Sequence, residues 1–372
     1  AIDHFVPAVL AKSTVIKPIT YAHLALPACV VRTPGSIMQE AQDILALGAK
    51  SVLIKGGHGS ATYCHDYWSN GEQDVWISSP RSPSHNNHGS GCSLSSAITA
   101  FVARGESLLD AIVLAKMYIN QGLRLSVQYG AGPGPLEKQP LRFDDCDLPY
   151  VASTFVEDPA MTHASGVQPT EAFLALEDAW LGVYPVVDSA EWVEKLVPLG
   201  IEAIQLRMKG APESALRPAI IASVAAANAH NVKLFVNDHW QLAIELGAYG
   251  VHLGQDDLET ADLSAIQQAG LRLGISTHGA YEIVRSMHLM PSYLAFGSVF
   301  LTTSKPVVPK GVESLALYCR LSNVPMVAIG GINMDTIADA FDSGASGYAM
   351  ISAITQADQP ELAVAQMQAL LN

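Results

Sequence analysis

The rhythm of apolar and polar positions changes near residue 182. From there on, short apolar runs suited to buried strands stand near 183–187, 201–206, 232–236, 250–253, 271–275, 293–297, 324–329 and 346–351. Each is followed by a stretch with helical spacing, the last running to the C-terminus. Eight β-then-α units in about 190 residues fit a compact (β/α)8 TIM barrel, with a doubly wound open sheet as the alternative. Polar residues and glycines come after the strands, not before them, and in a barrel that rim is the active-site face.

Residues 1–138 follow a less regular, mixed α/β pattern. Thr14 to Lys17 is a short strand candidate, and Ser36 to Leu47 has helical spacing closed by Gly48. Ser51 to Lys55 reads as a buried strand running into Gly56-Gly57-His58. Residues 62–68 and 73–78, around Asn70-Gly71, predict a hairpin with a type I′ turn. Helices are expected over 93–104 and 108–123. Residues 139–181 read as a linker, after the Gly-Pro-dense GAGPGP and through the acidic patch Asp144-Asp145-Cys146-Asp147. Within it, Thr170 to Leu181 has a helical pattern leading into the barrel at 182–372.

Composition narrows the function classes. A chain of 372 residues with 49% hydrophobic and 15% charged residues can bury a substantial core over two domains. A formal net charge of -14 argues against a nucleic-acid or anionic-membrane surface. Phosphate ligands stay open to it, since helix N-termini and a few local cations hold those. Five scattered cysteines without a CxxC pair fit free thiols in a reducing cytoplasm. No apolar run has membrane-spanning length, and no signal-peptide pattern opens the sequence.

The chemistry concentrates between Leu234 and Leu258, where two strand candidates end in carboxylates, Asp238 and Asp257. Parallel neighbouring strands bring both to one edge, a candidate Mg2+ site with room for substrate phosphate. Each aspartate alone would read as a helix N-cap or a turn residue. After the second strand, alternation places Gln205, Arg207 and Lys209 on one side, where an amide and two cations suit a diphosphate. The later strand ends carry Ser276 and His278, Thr302-Thr303-Ser304-Lys305, Gly330-Gly331 and Ile351-Ser352-Ala353. The last two are where barrels rest a monophosphate on backbone amides, though glycines there also serve as turn residues. His252 and His278 read equally as acid-base groups and as packed structural histidines. The rim offers no Ser-His-Asp arrangement, no close acid pair and no Schiff-base lysine on a strand. A dication site with cations around a diphosphate points instead to diphosphate departure.

Residues 182–372 closely resemble thiamine phosphate synthases. The likeness rests on QLRMK at 205–209, VNDH at 236–239, GVHLGQDDL at 250–258, GISTH at 274–278, GSVFLTTSK at 297–305, VAIGGI at 327–332 and SAI at 352–354. It implies that Gln205, Arg207, Lys209, Asn237, Ser276 and Lys305 bind hydroxymethylpyrimidine diphosphate. Asp238 and Asp257 would ligate Mg2+, and Thr302, Ser304, Gly331, Ile351 and Ser352 would hold thiazole phosphate. The implied reaction is dissociative: diphosphate leaves, and the thiazole nitrogen captures a pyrimidine methylene cation. Met208 and Ser304 stand where the family commonly has an acidic residue and Thr.

Before the barrel, SVLIKGGH at 51–58, NHGSGCSLSSAI at 87–98 and Ala115-Lys116 resemble the C-terminal half of ribokinase-like hydroxymethylpyrimidine (phosphate) kinases. The likeness implies an anion hole at Gly89 and Gly91, a catalytic Cys92, and Lys55 near the phosphates of ATP. Small residues directly before a helix do leave amides facing an anion. Only half of such a kinase is matched, with Pro18-Ile19-Thr20-Tyr21 where the family has a Pro-Asn segment, so little or no kinase activity is expected. The rival readings are an idle barrel that binds thiamine-type phosphates as a regulator, and a phosphosugar isomerase or aldolase. The first would need no diphosphate clamp, and the second would need a strand-borne Glu or Lys base. Whether the chain forms a homo-oligomer is open at this level.

Overall fold

The computed structural model describes residues 33–57, 61–142, 144–160, 171–302 and 308–371. The chain divides into two compact units, 1–168 and 169–372.

In the first unit, α1 (Pro34–Ala46) precedes β1 (Val52–Ile54), β2 (Tyr63–Ser69) and β3 (Asp74–Pro80). Helices α2 (Ser90–Ala103) and α3 (Leu108–Leu125) follow, and β4 (Tyr150–Ala152) completes an antiparallel sheet in the order β1-β2-β3-β4. Thr33 and Ser107 start α1 and α3 by accepting hydrogen bonds from the backbone of Ser36 and Asp110, which satisfies N–H groups left orphaned at a helix start. The core gathers Ala41, Val52, Ile54, Tyr67 and Trp76 between α1 and the sheet. A buried ion pair crosses from α3 to β2, Lys116 Nζ to Asp66 Oδ2 at 2.8 Å, and Gly56 N donates to the same carboxylate at 2.7 Å. The Thr14–Lys17 strand and Pro18–Tyr21 lie outside the described residues.

The hairpin differs in its turn. Ser69 and Asp74 are the last paired residues, so four residues form the loop, not two. The Asn70 side chain accepts from the N–H groups of Glu72 and Gln73 at 3.0 and 2.8 Å, and among the turn residues only Gly71 has a positive φ. A type I′ turn needs φ above zero at both central positions. Here the asparagine's own hydrogen bonds shape the loop instead.

The second unit is a closed barrel of eight parallel strands. They are β5 (Gly182–Val187), β6 (Ala203–Leu206), β7 (Lys233–Asn237), β8 (Gly250–Leu253), β9 (Arg272–Thr277), β10 (Tyr293–Phe296), β11 (Met326–Ile329) and β12 (Gly347–Met350). All eight runs seen in the sequence are present, and the pairing of β12 with β5 and of β9 with β10 excludes an open sheet. Inward side chains fill the barrel in layers, with Tyr184, Ala203, Phe235, Tyr293, Val327 and Ala349 in one cluster. Gly274 makes room for the Tyr293 ring, which would overlap any Cβ at that position. A small residue on one strand is therefore matched to a large one on its neighbour.

The expected helix over 170–181 does not form in its described part, 171–181. This chain runs across the strands' N-terminal ends. Phe173 N donates to Met290 O at 3.0 Å, Leu174 O accepts from Ser292 Oγ at 2.7 Å, and Leu181 N donates to Ser346 O at 2.7 Å. Phe173, Leu176 and Leu181 are buried, the last two within the barrel cluster. The apolar spacing that suggested a helix face serves to close the bottom of the barrel. With β4 built into the first sheet and 171–181 into the barrel, the stretch read as a linker is partly structural at both ends.

Candidate active site

The rim at the C-terminal strand ends opens on a cavity of about 570 Å³, the size of a typical small-molecule site. Its floor is apolar, from Tyr184, Val186, Ala295, Val327 and Ala349, and its polar groups come from several strand ends. Gln205, Arg207, Asn237, Ser276, Thr302, Gly331, Ile351 and Ser352 all line it. Lys209, Asp238 and Asp257 do not line the cavity. Ser304 and Lys305 lie outside the described residues.

Asp238 follows β7 with φ +62, a backbone region that costs a non-glycine residue about 1 kcal/mol. Its N–H donates to His252 O at 3.0 Å, so the pairing of β7 with β8 holds it there. Burial raises the Asp238 pKa, the neighbouring Asp257 carboxylate raises it further, and Lys209 works against both. Asp257 is fixed by Gly254 N, which donates to its Oδ2 at 3.1 Å. Lys209 Nζ stands 3.9 Å from Asp238 Oδ2 and is otherwise 59% exposed, free to reach a ligand. Two mutually repelling carboxylates with a single distant cation are a donor set that suits a hard divalent ion. Asp256, by contrast, is exposed.

Arg207 lines the cavity and, among the described residues, makes no ion pair with a carboxylate. A guanidinium without an anion on a cavity wall is suited to bidentate capture of phosphate oxygens. Across the cavity, Gly330 and Gly331 have φ +95 and +71. A Cβ on Gly330 would overlap Ser298 Oγ, and one on Gly331 would run into Leu301 O. The loop after β10 hydrogen-bonds along the end of β11, Val299 N to Ile329 O at 3.0 Å and Phe300 N to Gly330 O at 2.9 Å. The glycines are thus required by the approach of this loop as well as by any ligand.

The two histidines separate. His252 is 5% exposed, bonded at both ring nitrogens, and burial followed by the Arg207 charge pushes its pKa down to about 4. It is a neutral structural group. His278 lines the cavity with Nδ1 2.8 Å from Glu282 Oε2, and its own N–H donates to the same oxygen. Asn333 and Gln356 also line the cavity. The sequence reading missed both, because each lies beyond a strand end in a segment without strand-like spacing.

In the first unit, Gly89 takes φ +81 at the start of α2 with no side-chain cap, and Cys92 is exposed in the first helical turn beside Gly91. Lys55 closes β1, and its charge, with that of Lys116, lowers the pKa of buried Asp66 against the opposing effect of burial. The four described cysteines are free, and no described helix is long and apolar enough to cross a membrane.

Residues 183–354 match the family model described as Thiamine monophosphate synthase, and residues 1–137 the one described as Phosphomethylpyrimidine kinase. The thiamine-phosphate synthase of Serratia proteamaculans (strain 568) is 47% identical over 194 residues, covering 51% of this chain and 92% of that protein. That of Klebsiella pneumoniae subsp. pneumoniae is 49% identical over 193 residues, with 51% and 92% covered. Among solved structures, a thiamine phosphate pyrophosphorylase from Pyrococcus furiosus shares 28% identity at a TM-score of 0.47, covering 51% of this chain and 95% of that one. With such relatives matched at nearly half identity over almost their whole length, the chain belongs to the thiamine-phosphate synthase family, its transferase barrel preceded by a domain of the phosphomethylpyrimidine kinase family.

Proposed function

We propose that the barrel condenses hydroxymethylpyrimidine diphosphate with thiazole phosphate, giving thiamine phosphate and diphosphate. The observation that carries this reading is the arrangement on one rim: a repelling aspartate pair, two cations with capacity to spare, and a separate glycine-lined cradle across one cavity. Mg2+ held by Asp238 and Asp257 would neutralise the leaving diphosphate. Arg207 and Lys209, with Lys305, bind its oxygens, while Gln205, Asn237 and Ser276 orient the pyrimidine. Thr302, Ser304, Gly331, Ile351 and Ser352 hold the thiazole phosphate so that its ring nitrogen faces the departing group. No side chain serves as a nucleophile. The apolar floor excludes water, which would otherwise capture the methylene cation, and orientation of the two rings supplies the remaining advantage.

If the first domain acts as a kinase, ATP is its phosphate donor and Gly89, Gly91, Cys92 and Lys55 handle the phosphates. Free thiols without a pairing pattern favour a cytoplasmic setting. The test of the synthase reading is to incubate both phosphorylated precursors with the protein and Mg2+ and identify the product by mass. Thiamine phosphate should form only with all components present. Intact binding of thiazole phosphate without product would refute the reading in favour of an idle, regulatory barrel.

A further inference from the structure

Ser276 stands one residue before the end of β9 and lines the cavity. The carbonyls along a parallel strand turn alternately to its two neighbours. Thr277 O accepts from Gly297 N, just past β10, at 3.2 Å, so Ser276 O faces β8. On that side the ladder stops early. Leu253 opposite Ile275 is the last pair, and the next N–H, that of Gly254, goes to Asp257 Oδ2 at 3.1 Å. The chain turns away there to carry Asp257, and the Ser276 carbonyl stands beyond the end of the pairing.

The Gln255 side chain takes the place of the missing strand. Its Nε2 donates to Ser276 O at 2.8 Å and to Ser286 Oγ at 3.1 Å. A carbonyl only accepts, so the orientation of the amide is settled, and both hydrogens of its nitrogen are used. Ser286 is buried in the helix Ala280–Met287 that follows β9. The amide thus ties the strand end to the helix behind it. Its own Oε1 is buried without a partner among the described residues. A buried acceptor left unpaired roughly cancels the gain from two ordinary hydrogen bonds, so the amide adds little net stability. What it supplies is a fixed place for Ser276.

We propose that Gln255 is a positioning residue, which fixes the Ser276 backbone so that the serine hydroxyl meets the pyrimidine in one place. His252 Nε2, 2.8 Å from Ser276 Oγ, holds the serine at its other end. This deepens, and rests on, the reading of Ser276 as a pyrimidine contact. Because Gln255 acts through Ser276, its loss costs no more binding than loss of the serine hydroxyl. Once that hydroxyl is gone, the glutamine makes no further difference. Thiazole phosphate, held by other strand ends, does not feel the change.

The experiment is calorimetric binding of hydroxymethylpyrimidine diphosphate, and separately of thiazole phosphate, in the presence of Mg2+. Wild type, Gln255→Met, Ser276→Ala and the double variant are compared, with thermal melting to establish that each is folded. Methionine keeps the length of glutamine and removes both the donors and the orphan acceptor, so the melting temperature should hold. Ser276→Ala should weaken the pyrimidine compound about fivefold, the worth of one neutral hydrogen bond, and Gln255→Met about two- to fivefold. The double variant should bind no more weakly than Ser276→Ala alone. A purely structural role would add to the serine loss and weaken both ligands, which would overturn the proposal. The Mg2+ needed for half-maximal binding should stay unchanged in Gln255→Met. A rise would mean that the glutamine acts through Asp257, and would overturn the proposal as well. Should Gln255→Met not fold, Gln255→Asn, one methylene too short to span Ser276 and Ser286, carries the same comparison. Gln255→Met binding as wild type while Ser276→Ala is impaired would overturn this inference alone. Ser276→Ala binding as wild type would overturn the pyrimidine contact on which it rests.

Discussion

Asp257→Asn separates the metal role of the aspartate pair from any role in the fold. The substitution is isosteric, and the new side chain keeps an oxygen for the hydrogen bond from Gly254 N, 3.1 Å in the wild type. It removes one of the two charges that repel across the rim, and with it part of what raises the Asp238 pKa. The sign follows from linkage. An acid whose folded pKa is raised is at its most favourable below the unfolded pKa and loses stability as pH rises through the folded one. At neutral pH the metal-free protein therefore carries a cost that Asp257→Asn relieves. Its melting temperature should be equal or slightly higher near pH 7, an advantage that disappears in acid. Metal binding moves the other way. A pair of unit charges at 4 Å is worth about 4 kcal/mol at a protein rim, and the site is partly exposed, so screening leaves about 2–3 kcal/mol. That corresponds to a loss of roughly 100-fold in kcat/KM at fixed Mg2+. The assay is the initial rate of thiamine phosphate formation across a Mg2+ titration, beside a melting curve in chelator. Wild-type rates at limiting Mg2+ would refute the metal assignment. So would a rate loss matched by a drop in melting temperature with an unchanged Mg2+ dependence.

Lys116→Met should destabilise the first unit by about 3–5 kcal/mol by stranding the buried Asp66 carboxylate, read as an early unfolding transition in calorimetry. Because the Asp66 pKa is lowered in the fold, the stability from this pair is present above the unfolded carboxylate pKa of about 3.9 and lost as pH falls through the folded value. Gly331→Ala should raise the KM for thiazole phosphate, with a fold cost of about 1–3 kcal/mol, because the added methyl meets Leu301 O at a positive φ. An unchanged KM would remove that glycine from the phosphate cradle. Leu176→Ala should cost about 2–5 kcal/mol in a melting experiment while leaving kcat intact, since the side chain closes the far end of the barrel.

Much of this architecture is local and therefore readable in the sequence. The eight strands of the barrel are apolar runs with polar ends, and their parallel order places Gln205, Arg207, Asn237 and Ser276 on one rim. What escapes reading depends on contacts between distant segments. The spacing of Phe173, Leu176 and Leu181 fits a helix face, yet those residues meet Met290, Ser292 and Ser346 at the barrel bottom. The Asn70-Gly71 pair signals a turn, but the Asn70 side chain decides which one. Gly330 looks like a phosphate glycine until Ser298 is seen against it. Tyr184 and Tyr293, 109 positions apart, look like ordinary core aromatics but share a hydrogen bond, and His252 leaves open a catalytic role that its two buried hydrogen bonds then replace.

The central claim is that diphosphate departs as the pyrimidine joins the thiazole, assisted by the cationic and metal-binding rim. A single-turnover measurement tests it most directly, with protein in excess over hydroxymethylpyrimidine diphosphate and both products counted in each quenched sample. Thiamine phosphate and diphosphate should rise together in equal amounts, and neither should form without Mg2+. Diphosphate released without thiamine phosphate, or product formed at full rate in chelator, would contradict it.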